Sequence, residues 1–285
     1  MIKSMTGYGK TLIQLPLKKI TIELKSLNSK NIDINVRVPS YYREKELDIR
    51  KILGAELERG KVDFSIFIED NGAEVSSKIN DSVVQEYMNQ LKRLVKAEDL
   101  ELLKMAIRLP DSLKSEREEL DQQEWKQILE GILETINKIN TYRIDEGLSL
   151  KTDFELRITN IENLLEETIA MDPDRMKLIK EKLQKAIQDL NTKVDENRFE
   201  QELIYYMEKL DITEEKVRLK NHLDYFKKEL NSNISNGKKL AFISQEIGRE
   251  INTIGSKSNY APMQKIVVQM KDELEKIKEQ NLNVL

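Results

Sequence analysis

Lys19-Ile-Thr-Ile-Glu-Leu-Lys-Ser-Leu-Asn-Ser-Lys-Asn-Ile-Asp-Ile-Asn-Val-Arg-Val38 is the stretch that decides the fold. Ile20, Ile22 and Leu24 alternate with Lys19, Thr21, Glu23 and Lys25, and Ile32, Ile34, Val36 and Val38 alternate with Asp33, Asn35 and Arg37. Each run is a strand with one apolar and one charged face. Leu27 to Asn31 supplies the turn, and Pro39 ends the second run. A helix is expected from about Tyr41 to Glu58, after which Arg59-Gly60 leads into a third alternating run, Lys61 to Glu69, through Val62, Phe64, Ile66 and Ile68. Helices laid on one face of an antiparallel or mixed sheet bury those rows, which gives an α+β fold.

Beyond Asp81 the period changes to that of a helix. Asp81 or Asn80 caps a helix with a stripe of Val84, Tyr87, Met88, Leu91 and Leu94. Residues 97–119 read as a variable connection, interrupted by Pro110 and charged from Lys114 to Asp121. Trp125 to Lys138 is helical, with Trp125, Ile128, Leu129, Ile132 and Ile136 inward. Ile158 to Leu190 predicts two long helices broken at Asp172-Pro173, suited to a hairpin arm or to packing on a neighbouring subunit. In Glu202 to Leu230 the expected core is Leu203, Met207, Leu210, Val217, Leu223, Phe226 and Leu230. The chain thus divides into an α+β domain over residues 1–156, a long helical connection over 157–200 and a mainly helical C-terminal domain over 201–285.

Composition sets limits on function. The 285 residues are 39% hydrophobic, 34% charged and only 6% aromatic, which favours charge-laced helices over an all-β sandwich. The absence of cysteine excludes a disulfide framework, a thiol nucleophile and a cysteine zinc site, and fits a reducing cytosol. The opening residues lack a signal-length apolar core and no run approaches 18 apolar residues, so a soluble cytoplasmic protein is expected, with no membrane partner. Net charge is −4, yet residues 1–45 carry nine Lys/Arg against three acids, a local +6 that leaves −10 for the rest. Such a basic segment is either an electrostatic footprint for a polyanion or the wet face of a sheet.

Two late stretches carry the chemistry. Within Lys238 to Ser258, Ile243, Ile247, Ile251 and Ile254 form an apolar stripe, while Glu246, Arg249, Glu250 and Thr253 gather on another side. Gly237 before the run allows a positive φ, and Gly255-Ser-Lys-Ser258 reads as a helix stop followed by polar donors. Asp211, Glu215, Arg218 and His222 recur at steps of 4, 3 and 4, so one helix aligns them. His222 is the only histidine. Carboxylates beside Arg can hold a metal ion or a phosphate, and the same spacing also describes a solvated helix face worth about 0.2–0.5 kcal/mol per pair. There is no Walker loop, no Gly-x-Ser-x-Gly elbow and no His-Glu-x-x-His. Carboxylate oxygens suit Mg²⁺ or Mn²⁺ rather than zinc.

The wording of several stretches resembles the YicC/YloC family of bacterial endoribonucleases. Gly237-Lys-Lys-Leu-Ala-Phe-Ile-Ser-Gln-Glu-Ile-Gly-Arg-Glu-Ile-Asn-Thr-Ile-Gly-Ser-Lys-Ser258 looks like that family's C-terminal signature, and Asp211 to Phe226 like its Asp-Ile-x-Glu-Glu-x-x-Arg-Leu-x-x-His-Leu-x-x-Phe block. Ser4-Met-Thr-Gly-Tyr-Gly9, Leu27 to Asp33, Arg59-Gly-Lys-Val62 and Arg143 to Arg157 are similar to its remaining motifs. Lys30 stands where Arg is common and Asn31 where an aromatic is; Lys30 keeps the charge and loses the planar fork. Gly7 and Gly9 are expected where the backbone bends sharply or lies close to a partner. Arg143, Glu146, Asp153 and Arg157 fall near one helix face, where i, i+3 and i+4 charge pairing also accounts for them.

The resemblance implies an RNA substrate, a divalent metal and a homo-hexameric ring enclosing an RNA channel, with no small-molecule substrate. For such an activity Glu246 and Glu250, with Asp211 or Glu215 if the two helices meet, are the expected metal ligands, and His222, Glu246, Arg249, Glu250 and Lys257 the expected catalytic residues. Lys3, Lys10, Lys25, Lys30, Arg37, Lys238 and Lys239 are the expected RNA-backbone contacts. Two other classes use the same residues: a non-catalytic RNA-binding adaptor, and a helical oligomerisation protein whose charged stripes form interface salt bridges.

Overall fold

The computed structural model describes residues 2–16, 18–70, 78–114, 121–189 and 196–285. Strands β1 (Gly7–Gln14), β2 (Lys18–Leu27) and β3 (Ile32–Arg37) precede a 3-10 segment (Ser40–Lys45) and helix α1 (Glu46–Glu56). Strand β4 (Gly60–Asp70) then completes a four-stranded mixed sheet in the order β1-β2-β4-β3. β2 pairs antiparallel with β1 and β4, and β3 lies parallel to β4. The expected single helix after Pro39 is a tight turn followed by a shorter α-helix.

Alternation fixes the sheet's two faces. In the antiparallel register Ile22 faces Ile66, Leu24 faces Phe64 and Ser26 faces Val62, so one row of apolar side chains points to the same side. That side packs on Tyr42, Ile49 and Leu53 and on Ile128, Ile132, Ile136 and Ile139, all buried in one cluster. The opposite face carries Lys10, Glu23, Lys25, Asp63 and Arg37.

A peripheral unit follows the sheet: β5 (Lys78–Ile79), α2 (Asp81–Leu94), α3 (Asp99–Ala106) and β6 (Leu113–Lys114), with Ile79 paired to Leu113. Here the expected connection over residues 97–119 contains a helix, whose Leu102 and Ala106 are buried; residues 115–120 lie outside the described set. Val84 is buried as expected, but Leu94 is 82% exposed; among the described residues α2 packs chiefly on the short α3.

Helix α4 (Gln122–Asp189) spans 68 residues, about 100 Å at 1.5 Å per residue. The expected break at Asp172-Pro173 is absent: Pro173 sits inside the helix. Its missing N–H and ring clash cost about 3 kcal/mol in an isolated helix. The neighbouring turn is held from outside. Arg175 Nε donates to Asp172 Oδ1 at 2.8 Å, and Lys216 Nζ donates to Asp172 Oδ2 at 2.6 Å. Leu190, the expected end of this stretch, is outside the described residues.

Beyond α4 come α5 (Glu196–Leu210), α6 (Thr213–Leu230), α7 (Gly237–Lys257) and α8 (Ala261–Asn281). Leu219, Leu223, Phe226 and Leu230 of α6 and Ile243, Ile247, Ile251 and Ile254 of α7 share a second core with α8 and with Phe154, Ile158, Ile161 and Leu165 of α4. α4 therefore serves both cores. Val217, expected inside, is 56% exposed, since it lies off the stripe that carries Glu215, Leu219 and Phe226.

The chain's first residues stitch the two halves together. Ile2 is buried in the second core, Met5 N–H donates to the Asn283 carbonyl and Leu285 N–H donates to the Lys3 carbonyl. Glycines permit this closeness. A Cβ at Gly147 would fall 2.2 Å from the Ile2 carbonyl oxygen, and one at Gly9 would fall 2.5 Å from the Thr135 carbonyl oxygen on α4. Gly237 does not take a positive φ; its small size is used instead, since a Cβ there would fall 2.4 Å from the Val284 carbonyl oxygen. The expected stop at Gly255 is also passed, α7 continuing to Lys257 with Gly255 against Val267. Among the described residues no helix is long and apolar enough to cross a membrane.

Candidate active site

α6 and α7 form an antiparallel hairpin. Lys239 Nζ lies 2.8 Å from Glu229 near the turn, and at the far end Lys257 Nζ lies 2.7 Å from Glu215 Oε1. Between these ties the apolar stripes of both helices are buried in the shared core, and polar residues flank them. Glu215, Arg218 and His222 project from α6 at steps of 3 and 4, and Glu246 and Glu250 from α7 one turn apart.

Glu250 is the electrostatic centre of the group. It is buried, and burial pushes its carboxyl above the ordinary carboxylate range. Arg218 and His222 pull in the other direction, while the negative charges of Glu215 and Glu246 add to the rise. The Lys257–Glu215 pair joins the two helices at this end, and the charges that act on Glu250 come from both of them. Glu215 Oε1 accepts from Lys257, whereas its Oε2 is buried without a hydrogen-bond partner. Glu246 Oε1 lies 2.8 Å from Arg249 Nη1 but receives no aligned hydrogen bond, so that contact is ionic only. Arg249 is exposed, and Arg218 pairs with Glu214 on its own helix.

Asp211 stands apart. Its Oδ1 accepts from Thr213 N–H at 3.1 Å and from Thr213 Oγ1 at 2.7 Å, which starts α6 and holds the carboxyl below its ordinary value. Behind the hairpin the fully buried Arg175 gives Nη1 to the Lys257 carbonyl at 3.2 Å and Nη2 to the Leu210 carbonyl at 2.9 Å. It satisfies carbonyls at the ends of α7 and α5. Asp172 and Arg175 gave no sequence signal beyond the apparent break at Pro173; Arg218 was visible in the 4-3-4 spacing.

The fit to a hard cation can be judged from this donor set. Among the described residues no three His, Cys, Asp or Glu side chains are arranged as a metal cage. Mg²⁺ commonly takes one or two carboxylates and completes its shell with water and substrate phosphate. Glu250 and Glu215, whose Oε2 has no hydrogen-bond partner, are the two carboxylates that would supply them.

The expected RNA contacts fall in two places. Lys10 and Lys25 lie on the open sheet face around Glu23, at 3.0 and 3.9 Å, and Lys25 also lies 5.7 Å from the Tyr8 ring centre. Arg37 shares that face on β3, and Lys30 is exposed in the turn before it. Lys3 is tied through its backbone N–H to Ser235 Oγ. Lys238 and Lys239 begin α7, with Lys239 5.2 Å from the Tyr225 ring centre.

Other motif residues are structural. Thr6 Oγ1 donates to Glu146 Oε2 at 2.7 Å, and the buried Arg143 donates through Nη2 to Ser26 Oγ at 2.6 Å. Burial lowers the Arg143 guanidinium from its ordinary value. Arg157 bridges Asp153 and Glu273. These contacts join the first strand segment, the sheet and α8 to α4.

A four-stranded mixed sheet followed by a long helix and an acid-lined helical hairpin defines a two-core α+β protein with its polar cluster in the C-terminal part. The chain belongs to the YicC-like family: the sequence model "Endoribonuclease YicC-like, N-terminal region" matches residues 2–152, and "Endoribonuclease YicC-like, C-terminal" matches residues 168–285. It is similar to a "Probable endoribonuclease YicC" of Clostridioides difficile, 32% identical over 293 residues and covering 100% of each chain. A protein of the same name from Haemophilus influenzae is 26% identical over 287 residues, again with 100% of each chain covered.

Proposed function

We propose that the protein is a divalent-metal-dependent endoribonuclease that cleaves RNA phosphodiester bonds at the α6/α7 hairpin. The observation that carries this reading is a buried Glu250 on which Glu215, Glu246, Arg218 and His222 act electrostatically, in a hairpin where Glu215 Oε2 is buried and left unpartnered. Family membership supports RNA as substrate.

Glu250 and Glu215 would hold Mg²⁺ or Mn²⁺, with Glu246 one turn away. When bound, such a cation polarises a phosphodiester oxygen and lowers the pKa of a bound water. The chain's own side chains do the remaining work. A ring nitrogen of His222 gives and takes the proton of the attacking or leaving oxygen. Arg249 and Arg218, both reaching solvent at the rim, offset charge growing on the phosphate. Lys257 is engaged with Glu215 and fixes that carboxylate rather than meeting the phosphate. The basic residues of the sheet face supply sequence-independent backbone contacts, and the working form is a cytoplasmic homo-oligomer, a hexamer whose protomers enclose the RNA.

Cleavage of a short labelled RNA hairpin, with and without chelator, tests this. Activity is expected to vanish with chelator and to fall at least about a hundredfold in Glu250→Gln. A folded, oligomeric Glu250→Gln protein cutting at the wild-type rate overturns the assignment.

A further inference from the structure

Two exposed aromatic side chains flank the acidic cluster and have no part in either core. Tyr225 is one turn beyond His222 on α6 and is 40% exposed; Phe242 is one turn before Glu246 on α7 and is 60% exposed. The antiparallel pairing brings them to the same level of the hairpin. Lys239, one turn before Phe242, reaches Glu229 at 2.8 Å and the Tyr225 ring centre at 5.2 Å, so it spans the two helices between them. Helical spacing therefore puts Phe242 on the side of α7 that carries Glu246 and Glu250, and Tyr225 on the side of α6 that carries Arg218 and His222.

From this arrangement we infer that Tyr225 and Phe242 receive unpaired nucleobases beside the scissile phosphate, making the site selective for single-stranded RNA. The inference rests on the nuclease reading above for the phosphate and adds the state of the bases. Every base has a face that stacks on an aromatic ring, so such contacts tolerate any sequence; in a duplex those faces are already used. Lys239 is positioned to contribute twice. It lies over the Tyr225 ring, and its ammonium, whose pKa is raised chiefly by Glu229, stays charged beside an incoming backbone. An apolar partner peptide fits here less well, because Glu229, Lys239 and Glu246 interrupt the space around the two rings with charge.

The test measures binding in the Glu250→Gln background, so that nothing is cut. Fluorescence of a single-stranded RNA carrying 2-aminopurine is compared with that of the same strand annealed to its complement. Stacking predicts quenching of the single strand, and each of Tyr225→Ala and Phe242→Ala should weaken its binding by about 5- to 150-fold. Tyr225→Phe and Phe242→Tyr should restore affinity, and the duplex should bind equally to all variants. The inference is overturned if neither alanine variant changes single-strand affinity, if duplex binding falls by the same factor, or if the variants lose their assembly state, which would assign the rings to a protein interface. A Glu250→Gln protein that cuts normally would defeat the assignment of Glu250 to the active site alone and leave the stacking result standing.

Discussion

Lys257 Nζ donates to Glu215 Oε1 at 2.7 Å and to the Asp211 carbonyl at 2.9 Å, joining the last turn of α7 to the first turn of α6. One lysine closes the far end of the hairpin while Arg175 grips the main chain of that same lysine from α4. The position of the Glu215 carboxylate is thus set by two cations on different helices.

Replacing Lys257 with Met keeps the aliphatic stem and removes the donor. Glu215 is then left with neither oxygen paired in a largely buried place, at an expected cost of about 1–3 kcal/mol. Urea unfolding of Lys257→Met should show this as a lower midpoint with an unchanged slope, and RNA cleavage should fall with it. Lys257→Arg should recover most of the stability. An unchanged midpoint for Lys257→Met would mean that the pair contributes nothing to the hairpin.

Glu250 gives a prediction with a defined sign. Its folded carboxyl binds a proton more tightly than the unfolded one, because burial disfavours the charged form. Where the native state binds more protons, stability falls as pH rises. The wild-type protein therefore loses stability as pH climbs from the ordinary carboxylate range through the raised folded value. Glu250→Gln, which cannot ionise, should be the more stable protein at neutral pH and should lose that advantage near pH 4. Thermal unfolding of both proteins at the two pH values checks the crossover. The expected combination of higher stability and lower activity is that of a site strained for function.

Much of this was legible because local periodicity maps directly onto burial. Ile20, Ile22 and Leu24 occupy the inner face of β2, and Ile243, Ile247, Ile251 and Ile254 the inner stripe of α7, as their spacing requires. What depends on contacts between distant segments was not legible. Pro173 looks like a terminator in sequence, whereas in the fold the residue before it is tied to Lys216 of α6. Gly237 looks like a hinge and is a space-maker for Val284. In the site, spacing aligned Glu215 with His222 and Glu246 with Glu250, but nothing in it said that Lys257 ties the two helices together through Glu215 or that Asp211 turns to Thr213.

The glycine seam should be intolerant of even one methyl group. A Cβ at Gly147 would lie 2.2 Å from the Ile2 carbonyl oxygen and 2.8 Å from its carbon, both backbone atoms that cannot rotate away. Gly147→Ala raises helix propensity, which favours folding by up to about 1 kcal/mol, so sterics and propensity oppose each other. Overpacking of about 1–3 kcal/mol or more should win. The measurement is the unfolding midpoint, with Gly54→Ala as control, where a Cβ would meet only the Ile34 methyl at an ordinary 3.7 Å.

The sharpest test of how α4 survives its proline is a cycle on Arg175 and Pro173. Arg175 is fully buried, and its removal leaves Asp172 with only Lys216 as a partner while the Leu210 and Lys257 carbonyls lose their donor. Breaking a buried network of this kind costs about 3–5 kcal/mol. If the network is what holds the helix across Pro173, Arg175→Met should also speed hydrogen exchange at amides around residues 169–177, because the turn loses its ties to the Leu210 and Lys257 carbonyls. Pro173→Ala restores the missing donor and should recover protection there in the Arg175→Met background, while changing it little in the wild type. The two substitutions should therefore be non-additive, with a coupling of about 0.5–3 kcal/mol. Strictly additive effects would show that α4 tolerates Pro173 without help from Arg175.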